Sequence, residues 1–265
     1  MKVHLVVIDP QNDFCDPKGS LFVAGADEDM SRVAKMVKRI GSRLEDIHVT
    51  LDSHHIFDVA HPAYWKDSSG KHPNPFTIIT AQDVENGVWT PTLPHLMKKA
   101  IAYTKALEAN GRYPLCIWPP HCLIGSWGYG VVPELFDVLK DWEDEQIAIV
   151  DYVTKGSNFN TEHYSAVQAD VPDPSDPTTQ INTSFIHTLE EADVIVICGE
   201  ALSHCLANTV RDIANNFSDP SYVKKLVLIK NGSSSVPGFE TFGDQFISEM
   251  TAKGMQIADT NSFMK

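Results

Sequence analysis

The run Val194-Ile195-Val196-Ile197-Cys198-Gly199, continued by Glu200-Ala201-Leu202-Ser203-His204-Cys205, constrains this chain more than any other stretch. Consecutive apolar and β-branched residues after Asp193 read as a strand covered on both faces, the mark of a parallel sheet. Gly199 ends it. From Ser203 onward, Leu206, Val210, Ile213, Ala214 and Phe217 recur at helical spacing, so Cys205 falls in or near the first turn of a helix. A thiol there lies beside unpaired backbone N–H groups and the positive end of the helix dipole, and both stabilise thiolate. On this segment alone Cys205 reads either as a nucleophile or as a small apolar residue packing a strand-to-helix corner.

Other segments repeat the theme of an apolar run that ends in a reactive group. Val3 to Ile8 leads into Asp9-Pro10-Gln11-Asn12-Asp13-Phe14, which puts Asp9 at the C-terminal edge of a strand, where α/β proteins place their sites. Asp9 reads equally as a turn or helix-capping aspartate. A helix follows over about Glu28–Leu44, then a strand over about Asp46–Leu51 that runs into Asp52-Ser53-His54. Asp52 and His54, two apart in extended chain, point the same way and suit a shared metal, or belong to a solvated turn. In Trp118-Pro119-Pro120-His121 two prolines stiffen the chain before His121, which fits a third metal ligand or a loop cap. A strand over about Gln146–Asp151 leads to Lys155, which is solvated or, near a thiolate or oxyanion, stabilising.

Shorter readings complete the chain: helices over about Leu93–Asn110, Val132–Leu139, Thr183–Glu191 and Phe242–Lys253, and strands over about Val223–Ile229 and Met255–Ala258. This alternation predicts a three-layer α/β fold, a mostly parallel sheet with helices on both faces. Residues 1–265 read as one domain. The proline-rich stretch 56–115 is far longer than an ordinary connection and reads as an insertion, a lid or an interface arm. Asp9, Asp52 with His54, Lys155 and Cys205 all follow strands, so the topology gathers them on one sheet edge.

The net charge of −14 offers no basic stripe for nucleic acid and disfavours anionic membrane surfaces. No apolar run is long enough to span a bilayer, and the chain enters a strand at once without a signal-peptide pattern. Five cysteines without knuckle spacing read as reduced thiols. A soluble, cytoplasmic protein is expected.

Taken together and in order, Val7-Ile8-Asp9-Pro10-Gln11-Asn12-Asp13-Phe14, Asp52-Ser53-His54, Trp118-Pro119-Pro120-His121-Cys122, Lys155-Gly156 and Gly199 to Cys205 resemble the isochorismatase-like cysteine hydrolases, in particular their nicotinamidase-type members. The resemblance implies a catalytic triad of Asp9, Lys155 and Cys205. It implies a divalent metal, zinc before iron or manganese, on Asp52, His54 and His121. It further implies a cis Glu200–Ala201 peptide, an oxyanion hole from the backbone N–H groups of Ala201 and Cys205, and a homo-oligomer. Phe14 and Trp118 are then expected as pocket walls around a flat ring. The expected activity is hydrolysis of nicotinamide through a Cys205 thioester, with a small amide as the only partner class.

Rival readings are a relative acting on another small amide or carbamoyl compound, a vinyl-ether hydrolase of the isochorismatase type, and a silent binding protein of the same fold. Cys205 argues against the second, and the intact Asp9, Lys155 and Cys205 against the third. Glu200 departs from the small or uncharged residue more usual there, and is expected either to alter specificity or to face solvent. His61 is left out of the ligand set because of its longer spacing from Asp52 and the following Pro62.

Overall fold

A computed structural model describes residues 1–265. Six strands form one parallel sheet: β1 (Val3–Ile8), β2 (Asp46–Asp52), β3 (Asp151–Lys155), β4 (Val194–Gly199), β5 (Leu226–Ile229) and β6 (Gln256–Ala258), in the order β6-β5-β4-β1-β2-β3. The helices between them are α1 (Ala26–Ile40), α2 (Met97–Asn110), α3 (Pro133–Gln146), α4 (Thr183–Glu190), α5 (Cys205–Asn216) and α6 (Glu240–Lys253). Strand order reverses between β1 and β4. In doubly wound sheets this switch point opens a crevice at the carboxyl ends of the strands, and β1 and β4 are the strands that lead into Asp9 and Cys205.

The strand sequences explain the burial. Every residue of β1 is buried, as is all of β4 after Val194, so both are covered on two faces. In register, His4 stands beside Ile195 and Val7 beside Cys198, which separates the faces. On one face Cys198 meets Gly232 and, beyond it, Val33 of α1; on the other Phe185 of α4 packs 5.6 Å from the His48 ring. Helices therefore cover both sides. Acidic Asp27, Glu28 and Asp29 open α1 and basic Lys38 and Arg39 close it, in keeping with the helix dipole. Pro133 starts α3 at a position where its missing N–H costs nothing.

Gly199 carries the tightest constraint. Its φ is +107°, and a Cβ there would lie 2.1 Å from the Ile8 carbonyl oxygen. Only glycine lets β4 run this close to β1 at its end.

Several boundaries differ from expectation. The third strand is Asp151–Lys155 and not Gln146–Asp151, and Lys155 is its last residue. The apolar Ile147 and Ile149, which suggested the earlier placement, are 88% and 82% exposed, and α3 extends to Gln146. As the sheet edge, β3 has three exposed residues and so carries a weak hydrophobic signal. Helix α1 stops at Ile40, helix α2 starts at Met97 after a short 3₁₀ turn, and β5 is confined to Leu226–Ile229.

The insertion has its own packing. Its two antiparallel ladders pair Trp65–Lys66 with Thr90–Pro91 and Ile78–Ile79 with Leu115–Cys116. A separate cluster of 11 buried apolar residues, all between Val59 and Ile117 and including Tyr64, Trp65 and Tyr103, fills it. After this unit the chain returns through Trp118 to Leu123, where Leu123 bridges His54 in parallel and Cys122 N–H donates to Asp13 Oδ2 at 2.7 Å. That return brings His121 to the end of β2. No helix is long and apolar enough to cross a membrane.

Candidate active site

The carboxyl ends of β1, β2, β3 and β4 converge on Lys155. Its Nζ lies 3.0 Å from Asp9 Oδ2, 2.9 Å from Asp52 Oδ1 and 3.7 Å from Cys205 Sγ, and all four side chains are buried. Register produces this: Asp52 stands directly beside Lys155 on adjacent strands. Asp9, at φ +42°, turns out of β1, donates its N–H to Thr50 Oγ1 at 2.9 Å and accepts the Thr50 hydroxyl on Oδ1 at 2.5 Å. Gln11 ties the ends of β1 and β2 together, with Nε2 donating to Asp52 O at 2.8 Å and Oε1 accepting Asp52 N–H at 2.7 Å. A carboxylate oxygen of Asp9, one of Asp52 and the Cys205 sulfur lie within 4.8 Å of one another.

Burial dominates the protonation of this cluster. It pushes the Asp9 carboxyl up, against the pull of Lys155, and the Cys205 thiol well up, again against Lys155 and further raised by Asp9 and Asp52. Cys205 at rest therefore favours the thiol, with the Asp9 carboxyl close by. This differs from the thiolate expected from the helix start alone, because two carboxylates and desolvation outweigh one ammonium. Cys205 is the first residue of α5, and neither its backbone N–H nor that of Ala201 has an acceptor within the chain. The Glu200–Ala201 peptide is cis.

Next to this lies a histidine cluster. His54 Nε2 is 3.2 Å and His121 Nε2 3.5 Å from Asp52 Oδ2, and ring nitrogens of His54, His61 and His121 lie within 4.8 Å of one another. Asp58 Oδ2 holds His54 Nδ1 at 3.0 Å, and the Pro119 carbonyl holds His121 Nδ1 at 2.9 Å. That leaves His54 Nε2 buried without a hydrogen-bond partner, facing Asp52. A carboxylate–histidine arrangement with a free inner nitrogen is what a metal ligand needs. His61, left out of the ligand set on spacing, belongs to this cluster; burial and then His121 and His54 drive it down to about 3, so it is neutral. The Asp58–His61 turn carries it back, and no strand periodicity signals that.

A cavity opens over both clusters. Phe14 and Trp118 are two of its walls, with Tyr164, His204 and Val236 completing the apolar lining and Cys205, Asp52 and His121 at its polar side. His204 sits in an aromatic nest, stacked 4.8 Å from Tyr113, and burial lowers it to about 4. Glu162, which the sequence reading missed, also lines the cavity; burial, opposed by His54 and reinforced by Asp58 and Asp52, raises it to about 8. Its place in the Lys155–Tyr164 loop depends on Tyr103 of the insertion, whose hydroxyl accepts the Glu162 N–H at 3.1 Å. Glu200 is absent from the lining and fully buried, so it neither touches a bound molecule nor faces solvent.

No family model matches the chain. A search of curated proteins finds the nicotinamidase of Saccharomyces cerevisiae, 26% identical over 207 residues that cover 77% of this chain and 78% of that protein. Among solved structures, the yeast nicotinamidase Pnc1p superposes with a TM-score of 0.66 at 19% identity, over 97% of this chain and 99% of that one. The Acinetobacter baumanii nicotinamidase/pyrazinamidase gives 0.66 at 20% identity over 99% and 98%. The Pyrococcus horikoshii pyrazinamidase, in complex with zinc, gives 0.57 at 17% identity over 98% and 99%. In fold and in the residues gathered at its site, the chain resembles the isochorismatase-like cysteine hydrolases. Within that class, the proteins it is similar to are nicotinamidases and pyrazinamidases.

Proposed function

We propose that the protein hydrolyses nicotinamide to nicotinate and ammonia through a thioester on Cys205. The observation that carries this reading is the single buried cluster in which Lys155 touches Asp9, Asp52 and Cys205 beneath an aromatic cavity. Asp9 takes the thiol proton as the sulfur attacks the amide carbon. Ala201 and Cys205 offer their free N–H groups to the tetrahedral oxyanion, and Lys155 holds the developing negative charge near the sulfur. Asp9 passes its proton to the leaving ammonia, then activates the water that cleaves the thioester.

Phe14 and Trp118 provide faces for a pyridine ring. Asp52, His54 and His121, with His61 beside them, fit a divalent metal, zinc before iron or manganese, because the buried His54 Nε2 lacks any other partner. A bound metal supplies a Lewis-acid anchor for a ring nitrogen. The reading extends to one catalytic domain carrying the 56–115 insertion, a cytoplasmic location and a homo-oligomer.

Ammonia release across nicotinamide, pyrazinamide and unrelated small amides tests the assignment. Turnover of nicotinamide is expected. If nicotinamide is inert and another amide turns over, the cysteine hydrolase stands and the substrate does not.

A further inference from the structure

Glu200 is a buried carboxyl that the chemistry above leaves unused. Its Oε2 accepts the Ser234 N–H at 3.0 Å. Asp29, also buried, faces it: Asp29 Oδ2 accepts the Ser234 hydroxyl at 2.5 Å, and Asp29 Oδ1 takes Arg32 Nη2 at 2.6 Å. The guanidinium pairs with Asp29 and, on its other arm, with Glu28, and not with Glu200, so ionising Glu200 as well would strand a buried charge. Asp29 holds the direct ion pair, which leaves the proton to Glu200; burial and then Asp29 push the Glu200 carboxyl well above the ordinary range. Consistently, Glu200 Oε1 receives no hydrogen bond from any group of the chain, as fits an oxygen that carries its own proton toward Asp29.

The bonds around Glu200 join two loops. Ser234 O accepts the Leu202 N–H at 2.8 Å, and Ser203 Oγ accepts the Val236 N–H at 3.0 Å. Residues 200, 202 and 203 are thereby stitched to residues 234 and 236. One loop carries the Ala201 N–H, and the other carries the Val236 wall of the cavity. An apolar side chain at position 200 could fill the space but could hold neither Ser234 nor Asp29.

We propose that Glu200 is a positioning residue that fixes the Ala201 N–H and the Val236 wall against each other. This rests on the reading of Ala201 as an oxyanion donor. Glu200 touches no reacting atom and acts only through Ser234 and Asp29.

The test compares wild type with Glu200→Gln and Glu200→Leu, each checked for its unfolding midpoint. The glutamine amide can accept from Ser234 and donate to Asp29, so Glu200→Gln is expected to keep kcat and KM within about twofold. Folded Glu200→Leu is expected to lose roughly 10- to 100-fold in kcat with KM changed far less, part of the loss seen when an oxyanion donor is removed outright. Nicotinaldehyde, whose adduct with Cys205 carries an oxyanion, is expected to bind that variant more weakly by a similar factor. Glu200→Met replaces the leucine variant if that one does not fold.

A folded apolar variant with wild-type kcat and aldehyde affinity overturns the proposal, and so does a glutamine variant as impaired as the apolar one. If wild type itself is inert toward nicotinamide, the functional reading falls, and the aldehyde affinities still decide the role of Glu200.

Discussion

Replacing Thr50 by valine removes one hydroxyl and leaves the shape of the side chain nearly unchanged. That hydroxyl does two things: it donates to Asp9 Oδ1 at 2.5 Å and accepts the Asp9 N–H at 2.9 Å. Both partners are fully buried, so neither lost bond is replaced by water. A hydrogen bond to a charged group contributes about 1.5–3 kcal/mol, and an orphaned buried N–H costs roughly 1–3 kcal/mol. The stability loss for Thr50→Val is therefore about 2.5–6 kcal/mol.

The same change has a catalytic signature. Thr50 bonds the ionised carboxylate, and Asp9 is already raised by burial, with Thr50 among the groups that hold it down. Removing the bond raises it further, because the ionised form loses a hydrogen bond that favours it. With Asp9 as the proposed base, active in its ionised form, the acid limb of kcat/KM is expected to move to higher pH. The sign for stability follows. Both proteins share the unfolded-state value, so the part of the variant's deficit that comes from Asp9 ionisation is full above the variant's own folded value and vanishes as pH falls below the wild-type folded value. Ammonia release measured from about pH 5 to pH 8, with urea unfolding at the same pH values, reads both effects. Thr50→Ser restores the limb. An acid limb that stays put or moves to lower pH refutes the role of Thr50 and, with it, Asp9 as the base.

Two further outcomes are expected. Protein purified without chelator carries near-stoichiometric divalent metal; His54→Ala and His121→Ala lose it, and His61→Ala weakens it by about tenfold or more. Full metal content in the first two variants, measured by elemental analysis, removes the ligand assignment. Gly199→Ala forces a Cβ to within 2.1 Å of Ile8 O at a φ of +107°, and destabilises the fold by more than about 4 kcal/mol in urea titration, while an effect under about 1 kcal/mol contradicts the packing.

The sheet and the gathering of Asp9, Lys155 and Cys205 were legible because parallel strands put their chemistry at one end. Asp9, Lys155 and Cys205 each stand at or just beyond a strand's carboxyl end, and a sequence pattern can locate such ends. What escaped it depends on contacts made by distant chain. His61 enters the histidine cluster through a turn at Asp58, and Glu162 enters the cavity on a loop held by Tyr103 of the insertion. Glu200 looked like a solvent-facing or cavity residue, yet Asp29 and Arg32 of α1 and Ser234 of the loop after β5 enclose it. The position of β3 was misread because its edge residues alternate weakly, while the exposed Ile147 and Ile149 imitate a buried strand.

The central claim is that Cys205 is the nucleophile for nicotinamide. Side-by-side ammonia release by wild type and Cys205→Ala, with circular dichroism confirming equal folding, tests it directly. The account predicts turnover by wild type and a loss of at least about 1,000-fold in the folded variant, as for other removed nucleophiles. A folded Cys205→Ala protein that releases ammonia at the wild-type rate contradicts it.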